Sequence, residues 1–243
     1  MEISNRLQML IDFVPKVKTV ADIGCDHGYV AIALAKSGNV DKVIAMDINK
    51  GPLKRAKKNI IASELENQVE TRLSNGFEQL QVGEVNLAIL AGMGGRLMRS
   101  ILTKDLDKTK KIEWLVLQPQ SEIAEVRKLV ATLGYVCIEE KALLEDNQFY
   151  FAMLLKKTDK VKSTNQEVNF RFGKHLLQSK DPILLQFILQ KKKEYCKIMD
   201  ALSIHKVSTK NQKDRIKEIQ IEMQYIASAL EYYDGENMNE RKS

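Results

Sequence analysis

The chain has 243 residues, 44% of them hydrophobic, so it is long enough for one large domain or for a medium domain with an appendage. No apolar run approaches the roughly 18 residues that a membrane helix needs, and the N-terminus has no basic segment followed by an apolar one, so we predict a cytoplasmic protein without signal peptide or membrane contact. The three cysteines and three histidines are scattered, which argues against a metal site or a disulfide framework.

The net charge of +6 is unevenly distributed along the chain. Residues 1–157 contain 22 Lys and Arg against 20 Asp and Glu, whereas residues 158–243 contain 16 against 12. The C-terminal part is therefore the more basic per residue. This balance fits a partner that carries phosphates, such as a nucleic acid, but does not require one.

Up to residue 157, short apolar runs alternate with amphipathic stretches. The runs predict strands over 19–24, 42–47, 69–73, 85–92, 114–119, 135–140 and 149–156, with helices over 29–38, 51–64, 95–106 and 121–134. Strand–helix alternation of this kind predicts a mostly parallel sheet with helices on both faces. The last two runs, joined through KALLEDNQ, predict an antiparallel hairpin, and this layout is typical of class I, Rossmann-like methyltransferases.

After residue 157 the strand signals stop, and we predict a second domain over 158–243. A polar linker, KTDKVKSTNQE, leads into a predicted helix over 164–179, with Val168, Phe172 and Leu176 on one face. Two long helices follow, joined by the polar stretch 205–213. Their apolar spacing predicts an antiparallel coiled coil, with seams formed by Leu184, Ile188, Tyr195, Ile198 and Leu202 and by Ile216, Ile219, Met223, Ile226, Leu230 and Tyr233. The end after Asp234 is polar, and we expect it to fray.

The first strand runs into ADIGCDHGY, a loop suited to a nucleotide-like cofactor. A dinucleotide fingerprint requires G-x-G-x-x-G, but Gly24 is followed two positions later by Asp26, whose carboxylate would repel a pyrophosphate. The remaining pattern is Asp22, Gly24 and Gly28. It suits a cofactor without phosphate, and S-adenosylmethionine has a cationic amino-acid tail that glycine backbone can approach and carboxylates can meet. We assign His27 to the same loop as a backbone contact.

Two further strand ends strengthen this prediction. Asp47, followed by Ile48, ends the second strand 25 residues after Asp22, where a carboxylate can accept both ribose hydroxyls. After the third strand, Asn75 and Gly76 lie where such enzymes hold the adenine ring, although an ordinary turn would use the same two residues.

The fourth strand ends in Ala91, Gly92, Met93, Gly94 and Gly95. Amino-directed adenine and cytosine methyltransferases carry an Asn/Asp-Pro-Pro-aromatic motif here, and this chain has neither the carboxamide nor the prolines. The glycines would leave backbone groups exposed beside the methyl donor. A tight turn with positive φ at Gly94 is the structural alternative.

Together, ADIGCDHGY, AMDIN, LAGMGG and VLQPQ, followed by a helical tail, resemble the bacterial TrmK family. RL near the start and EDNQFY near residue 150 belong to the same resemblance, which extends over nearly the whole chain. It implies an S-adenosylmethionine-dependent methyltransferase acting on N1 of adenine 22 in tRNA. The tRNA substrate comes from the resemblance, whereas the residues themselves indicate only the cofactor and exclude amine-type chemistry.

Three residues are candidates for direct action on the base. Adenine N1 has its own lone pair, so no proton is removed, but the base must leave its stack to react. Tyr29 could stack on the extruded base, Gln118 could hydrogen-bond adenine N6 or N7, and Asp26 could face either the cationic product or the ammonium tail of the cofactor. Cys25 is expected to serve packing, since this reaction uses no nucleophile.

Other interpretations stay open from the sequence. The chain could methylate another RNA base or another substrate, or it could be a non-catalytic RNA-binding scaffold that retains a cofactor fold. A nicotinamide enzyme is disfavoured by Asp26. We further expect basic residues of the tail, including Lys191, Lys192 and Lys193, to hold the phosphate backbone of tRNA. A monomer is favoured, although the sequence does not fix the oligomeric state.

Overall fold

The structure is a computed structural model that describes residues 3–159, 167–204 and 210–234. The chain divides into two compact units, Met1–Ser163 and Thr164–Ser243. The predicted domain boundary at 157–158 falls at the start of the predicted linker, most of which (160–166) lies outside the described residues.

The first unit contains one seven-stranded sheet. Its strands are β1 (Val17–Ile23), β2 (Val40–Asp47), β3 (Val69–Leu73), β4 (Leu87–Met93), β5 (Trp114–Pro119), β6 (Tyr135–Glu145) and β7 (Gln148–Lys157). Their order in the sheet is β3-β2-β1-β4-β5-β7-β6, with β7 antiparallel to β5 and β6. The predicted α/β sheet is confirmed. Because the order reverses between β1 and β4, the crevice at their carboxyl ends is where such sheets bind ligands.

Within residues 3–159, the first unit has six helices. They are α1 (Asn5–Asp12), α2 (Tyr29–Lys36), α3 (Lys50–Ala62), α4 (Gly95–Lys104), α5 (Leu106–Thr109) and α6 (Ile123–Thr132). The sequence interpretation missed α1, whose N-cap Ser4 accepts a hydrogen bond from the Leu7 backbone N–H. It also missed the short α5.

Helices cover both faces of the sheet. Successive side chains of a strand point to opposite faces, so each strand contributes to two cores. Along β2, Val43 and Ala45 join the core beneath α1, α2 and α3, while Ile44 and Met46 join the core beneath α4 and α6. All four side chains are fully buried. Burial on both faces explains why the strands appear in the sequence as continuous apolar runs.

The β6–β7 hairpin corrects one sequence expectation. Most of the presumed connection KALLEDNQ belongs to β6, which pairs with β7 as far as Glu145 opposite Gln148. The turn contains only Asp146 and Asn147, both at positive φ (50° and 60°). Two left-handed residues give the turn geometry that follows the natural twist of a hairpin.

The second unit is entirely helical among its described residues: α7 (Glu167–Phe172), α8 (Lys174–Gln178), α9 (Pro182–Ile204) and α10 (Lys210–Asp234). The single helix predicted over 164–179 is wrong, because the chain breaks at Gly173, where φ is 90°. Residues 205–209 of the predicted connection and the predicted frayed end, 235–243, lie outside the described residues.

The long helices α9 and α10 contact each other, as predicted. Leu184, Ile188, Ile219 and Ile226 are buried, and the other seam residues whose side chains are described are half-buried. An ion pair joins Arg171 Nη1 to Glu222 Oε1 at 2.5 Å, and the Arg171 guanidinium lies 4.3 Å from the centre of the Tyr225 ring. C-terminal helices are therefore established, whereas their description as a coiled coil stays a prediction.

Within the described ranges, none of the helices combines the length and the apolar character needed to cross a membrane. Over the same ranges, no three His, Cys, Asp or Glu side chains converge in a way that would hold a metal ion.

Candidate cofactor site at the carboxyl edge of the sheet

The loop between β1 and α2 is fixed by backbone hydrogen bonds to the neighbouring strand. The N–H groups of Gly24 and Cys25 both donate to the Met46 carbonyl oxygen, at 2.8 and 3.0 Å. Gly24 and Gly28 adopt positive φ, 81° and 75°. A Cβ at residue 28 would lie 3.1 Å from Ala56 Cβ on α3, so this glycine is required both by its backbone conformation and by close helix packing.

Two buried carboxylates lie at the ends of neighbouring strands. Asp22 is 5% exposed near the end of β1, and Asp47 is 8% exposed at the end of β2. Asp22 Oδ2 is buried and has no hydrogen-bond partner among the residues that the structure describes. Burial, together with the negative charge of Asp47, raises the pKa of Asp22 to about 7. An unpaired buried carboxylate of this kind is suited to a cationic ligand.

Hydrogen bonds fix the position of Asp47 at the carboxyl end of β2. Its Oδ1 accepts a hydrogen bond from the Asn49 backbone N–H at 2.8 Å. Its carbonyl oxygen accepts from the Ser74 backbone N–H at 2.9 Å, which joins the ends of β2 and β3. The next residue, Ile48, is 60% exposed although it is large and apolar. The strand tip thus offers a carboxylate beside an apolar surface.

The turn after β3 is organised by Ser74, which the sequence interpretation overlooked. The buried Ser74 Oγ donates to the Gly76 carbonyl oxygen at 2.8 Å and accepts from the Gln79 N–H at 3.2 Å. Asn75 is exposed, and its Nδ2 is 3.4 Å from Glu78 Oε1. Gly76 has φ 62°, and a Cβ there would lie 2.9 Å from Ile101 Cγ2. The turn therefore requires glycine at residue 76 for its backbone conformation and its packing, and the predicted cofactor contact there stays a prediction.

The glycines after β4 have different roles. Gly92 has φ 70°, but Gly94 has φ −64°, so the expected positive φ at Gly94 is wrong. A Cβ at Gly94 would lie 3.3 Å from Ser121 Oγ, whereas a Cβ at Gly95 would collide with the Ser121 carbonyl oxygen. Gly95, at the start of α4, is therefore the residue with the tightest packing requirement. Met93 Cε lies 3.5 Å from the Cβ position of residue 24, so the β4 end faces the β1 loop.

Gln118 connects this segment to the N-terminal helix. The side chain is 1% exposed, and its Oε1 accepts from Arg6 Nη1 at 3.1 Å and from the Gly92 N–H at 3.2 Å. The Arg6 guanidinium also lies 5.5 Å from the centre of the Tyr150 ring. Any contact of Gln118 Oε1 with a base would compete with two existing donors. Gln118 Oε1 therefore links Gly92 at the end of β4 to Arg6 of α1, and the predicted contact of Gln118 with the base stays a prediction.

Asp26, His27 and Tyr29 form the outer part of the β1–α2 loop. Asp26 adopts positive φ (43°) and pairs through Oδ1 with Arg55 Nη2 of α3 at 3.2 Å. The His27 carbonyl oxygen accepts from Asn59 Nδ2 at 2.9 Å. The rings of His27 and Tyr29 are stacked, with centroids 5.3 Å apart. Helix α3 thus fixes this loop at two points, which the sequence pattern did not reveal.

The predicted cofactor residues therefore share one edge of the sheet. Cys25 is buried beside them, and burial raises the pKa of its thiol, in keeping with the expected packing role. The sequence interpretation gave no role to Ser74, and it included Arg6 only in the RL motif of the resemblance. Ser4, a good N-cap residue before an amphipathic octapeptide, was the available signal for the helix that carries Arg6.

Comparison with known proteins agrees with this geometry. Residues 3–153 match the model of a family described as methyltransferase domain. The chain is 26% identical to the tRNA (adenine(22)-N(1))-methyltransferase of Bacillus subtilis over 96% of this chain and 98% of that protein. It is 31% identical to a putative tRNA methyltransferase of Mycoplasma pneumoniae, over 70% and 78% of the two chains.

A solved structure is similar along the whole fold. A putative tRNA (m1A22) methyltransferase of Streptococcus pneumoniae, in complex with S-adenosyl-L-methionine, superposes with a TM-score of 0.80 at 28% identity, covering 94% of this chain and 100% of that one. The chain belongs to the methyltransferase domain family. The resemblance to TrmK noted in the sequence and the predicted Rossmann-like methyltransferase fold are both confirmed.

Proposed function

We propose that this protein transfers a methyl group from S-adenosylmethionine to N1 of adenine 22 in tRNA. The observation that carries the proposal is the match to the Bacillus subtilis enzyme over 96% of this chain and 98% of that one, which takes in both units. The arrangement of carboxylates and glycines at the β1–β4 crevice supports it, because this is the position at which doubly wound sheets bind nucleotide-like ligands.

The residues at the crevice fit this cofactor. When bound, S-adenosylmethionine supplies an activated methyl group on a sulfonium. Asp22, whose Oδ2 is buried without a partner in the described chain, would offer its negative charge to the cationic part of the molecule. Asp47 would accept the ribose hydroxyls, and exposed Ile48 would pack on the adenine. Gly24, Gly28, Asn75 and Gly76 would let backbone groups approach the ligand.

The catalytic demand on the protein is mainly one of position. Adenine N1 carries a free lone pair, so no general base is required and the site has only to align the nucleophile with the methyl group. The methylated base is cationic, and the carboxylates at this edge favour it electrostatically. A buried Gln118 that fixes Gly92 and Arg6 is suited to keeping the β4 segment rigid during this alignment.

Tyr29 and Asp26 lie in the outer part of the β1–α2 loop, where both side chains are at least partly accessible to a base. Tyr29 is half-buried, and one face of its ring stacks on His27. We propose that the other face stacks on an extruded adenine. The Asp26 carboxylate is 62% exposed and shares its charge with Arg55. We propose that it contacts the cofactor or the reacting edge after rearrangement of this exposed pair.

The helical unit completes the proposal. We propose that α9 and α10 form an antiparallel coiled coil over the predicted domain 158–243, and that this unit helps to hold tRNA. The enzyme would act as a cytoplasmic monomer. The expectation for the tail lysines is modified at Lys191, which pairs with Glu194 Oε2 at 2.8 Å, while Lys192 and Lys193 are exposed.

A methyl-transfer assay tests the function. Radiolabelled S-adenosylmethionine is incubated with the protein and an unmodified tRNA transcript that has adenine at position 22, and the digested nucleosides are separated. We expect label in N1-methyladenosine. A matched transcript with guanine at position 22 should take up none.

Two outcomes would contradict the proposal. Label in a different nucleoside would indicate a methyltransferase for another RNA base. Tight binding of S-adenosylmethionine without transfer to any tRNA would favour the scaffold alternative. A pool of unmodified tRNAs, assayed alongside the transcript, guards against choosing a poor substrate.

A further inference from the structure

Helix α3 contains almost all of the net positive charge of the chain. Lys50–Ala62 includes four lysines and one arginine and no acidic residue, a net charge of +5, against +6 for the whole protein. The rest of the chain is therefore close to neutral. Acidic residues elsewhere in the first unit offset most of this positive charge.

The four lysines of α3 share one face of the helix. With 3.6 residues per turn, they fall within an arc of about 100°. They are Lys50, Lys54, Lys57 and Lys58, which we call the α3 lysine stripe. All four are exposed, while Ala56 and Ile60 on another side of the helix are buried against the sheet. The stripe is therefore a solvent-facing surface on a helix anchored to the core.

The stripe lysines are not neutralised by neighbouring carboxylates. Over residues 3–159, 167–204 and 210–234, none of the four makes an ion pair, whereas many other basic residues do. Lys42 pairs with Glu70 Oε2 at 2.8 Å, and Arg55 on the same helix pairs with Asp26. Four exposed, unpaired cations on one helix face create a positive field of the kind that attracts polyanions.

The stripe begins at the rim of the cofactor crevice. Lys50 follows Asp47 by three residues, and at 1.5 Å per residue the stripe extends about 12 Å along the helix to Lys58. The helix is attached to the outer loop of the site, because Asn59 Nδ2 donates to the His27 carbonyl oxygen at 2.9 Å. An RNA bound along the stripe would thus be held at a fixed position relative to the site.

We propose that the α3 lysine stripe binds the phosphate backbone of the RNA substrate next to the modified base. This inference rests on the proposed function for the identity of the RNA. Lysines on a regular helix give point-charge contacts to phosphates, which position the substrate and do not read its sequence. The stripe provides a phosphate-binding surface within the first unit, in addition to the one expected in the tail.

A matched pair of charge-reversal variants tests the stripe. The first is Lys54→Glu/Lys58→Glu. The control is Lys110→Glu/Lys111→Glu, which makes the same charge change at two exposed lysines that form no ion pair among the described residues. They lie just before β5, at the amino ends of the parallel strands, whereas the crevice is at the carboxyl ends. Binding of unmodified tRNA is measured by filter binding between low and moderate salt, and S-adenosylmethionine affinity is measured by calorimetry.

We expect the stripe variant to bind tRNA about tenfold or more weakly, and the slope of log K against log[salt] to flatten by about 1.4–1.8 for two lost phosphate contacts. The control variant should stay within about threefold of the wild type. Unchanged cofactor affinity and circular dichroism in both variants establish that the fold is intact.

The possible failures are distinguishable. A wild-type protein that neither binds nor methylates tRNA contradicts the proposed function. A wild-type protein that methylates tRNA, together with a stripe variant that keeps the same affinity and salt slope, contradicts only this inference. Equal losses in the stripe and control variants also contradict it, because they would reflect net charge and not a defined surface.

Discussion

Replacement of Asp22 by Asn tests the electrostatic reasoning about the site most directly. The substitution keeps the shape of the side chain and removes its ability to ionise. In the folded protein without ligand, burial and the neighbouring charge of Asp47 raise the pKa of Asp22 from 3.8 to about 7. The ionised carboxylate is therefore a source of instability that the asparagine lacks.

The size of the effect follows from the pKa difference. Each pKa unit corresponds to about 1.4 kcal/mol, so a shift from 3.8 to about 7 amounts to roughly 4 kcal/mol once Asp22 is fully ionised. Since Asn must itself be accommodated in the buried position, we expect Asp22→Asn to increase the free energy of unfolding at pH 8 by about 2–4 kcal/mol.

The direction of the pH dependence is defined. Between pH 3.8 and about 7 the folded state binds the Asp22 proton more tightly than the unfolded state, so stability falls as pH rises through this window and is constant above it. Urea unfolding from pH 5 to pH 8 should show the gap between variant and wild type widening with pH. Asp41→Asn, at an exposed position on β2, should show no such gap.

Cofactor binding should change in the opposite sense. A cation next to Asp22 favours its ionised form, so binding to the wild type should tighten from pH 6 to pH 8 and release a proton, whereas Asp22→Asn should bind at least about tenfold more weakly at pH 8 with little pH dependence. The reasoning is refuted if the stability gap does not change with pH, or if the variant binds S-adenosylmethionine as tightly as the wild type.

The remaining predictions concern the strand ends and the tail. Asp47→Ala should weaken cofactor binding at least about tenfold without unfolding the protein, because two charge-assisted hydrogen bonds contribute about 1.5–3 kcal/mol each; unchanged affinity in calorimetry would remove Asp47 from the site. Gly95→Ala should destabilise the protein by about 1–3 kcal/mol and Gly94→Ala by less than about 1 kcal/mol, as measured by urea unfolding, because a Cβ collides with backbone only at Gly95; equal effects would contradict the packing assignment. Lys192→Glu/Lys193→Glu should weaken tRNA binding and flatten its salt dependence by about 1.4–1.8, and an unchanged slope would assign these lysines another role.

Much of the sheet was predictable because of its burial. A strand covered by helices on both faces must be apolar at successive positions, so its residues stand out in the sequence as short continuous runs. The predicted β3 and β5 agree with the structure at both ends. The hairpin was less clear, because half of β6 is only partly buried and its polar residues resemble a loop.

The break between α7 and α8 shows why apolar periodicity wrongly predicted a single helix over 164–179. Val168, Phe172 and Leu176 keep helical spacing across Gly173, and Phe172 and Leu176 are buried. Spacing reports which face is apolar but not whether the backbone stays helical between the apolar residues. The positive φ of Gly173 separates two short helices that together present what appears in the sequence as one stripe.

The site was predictable where one strand end determines a residue's position, and it was not where a contact joins distant segments. Asp22 and Asp47 follow from parallel strands that end at one edge. The hydrogen bond between Arg6 and Gln118 joins residues 112 positions apart, and no local pattern signals it. Gly95 was grouped with the glycines that expose backbone beside the methyl donor, although its structural requirement is for space against the Ser121 carbonyl oxygen.

The first unit has to meet two opposite electrostatic demands within a short distance. A cationic cofactor and a cationic product favour carboxylates at the crevice, but the same carboxylates repel the phosphates of the RNA that must approach it. The α3 lysine stripe offsets this repulsion next to the crevice and leaves the buried charge of Asp22 in place. The Asp26–Arg55 pair lies between the two regions, with side chains 62% and 50% exposed. An exposed pair contributes only about 0–1 kcal/mol to stability, so Asp26 can exchange Arg55 for the proposed contact at little cost. The hydrogen bond from Asn59 Nδ2 to the His27 carbonyl oxygen still joins the loop to the helix. Substrate held on α3 would thereby be held in register with the site.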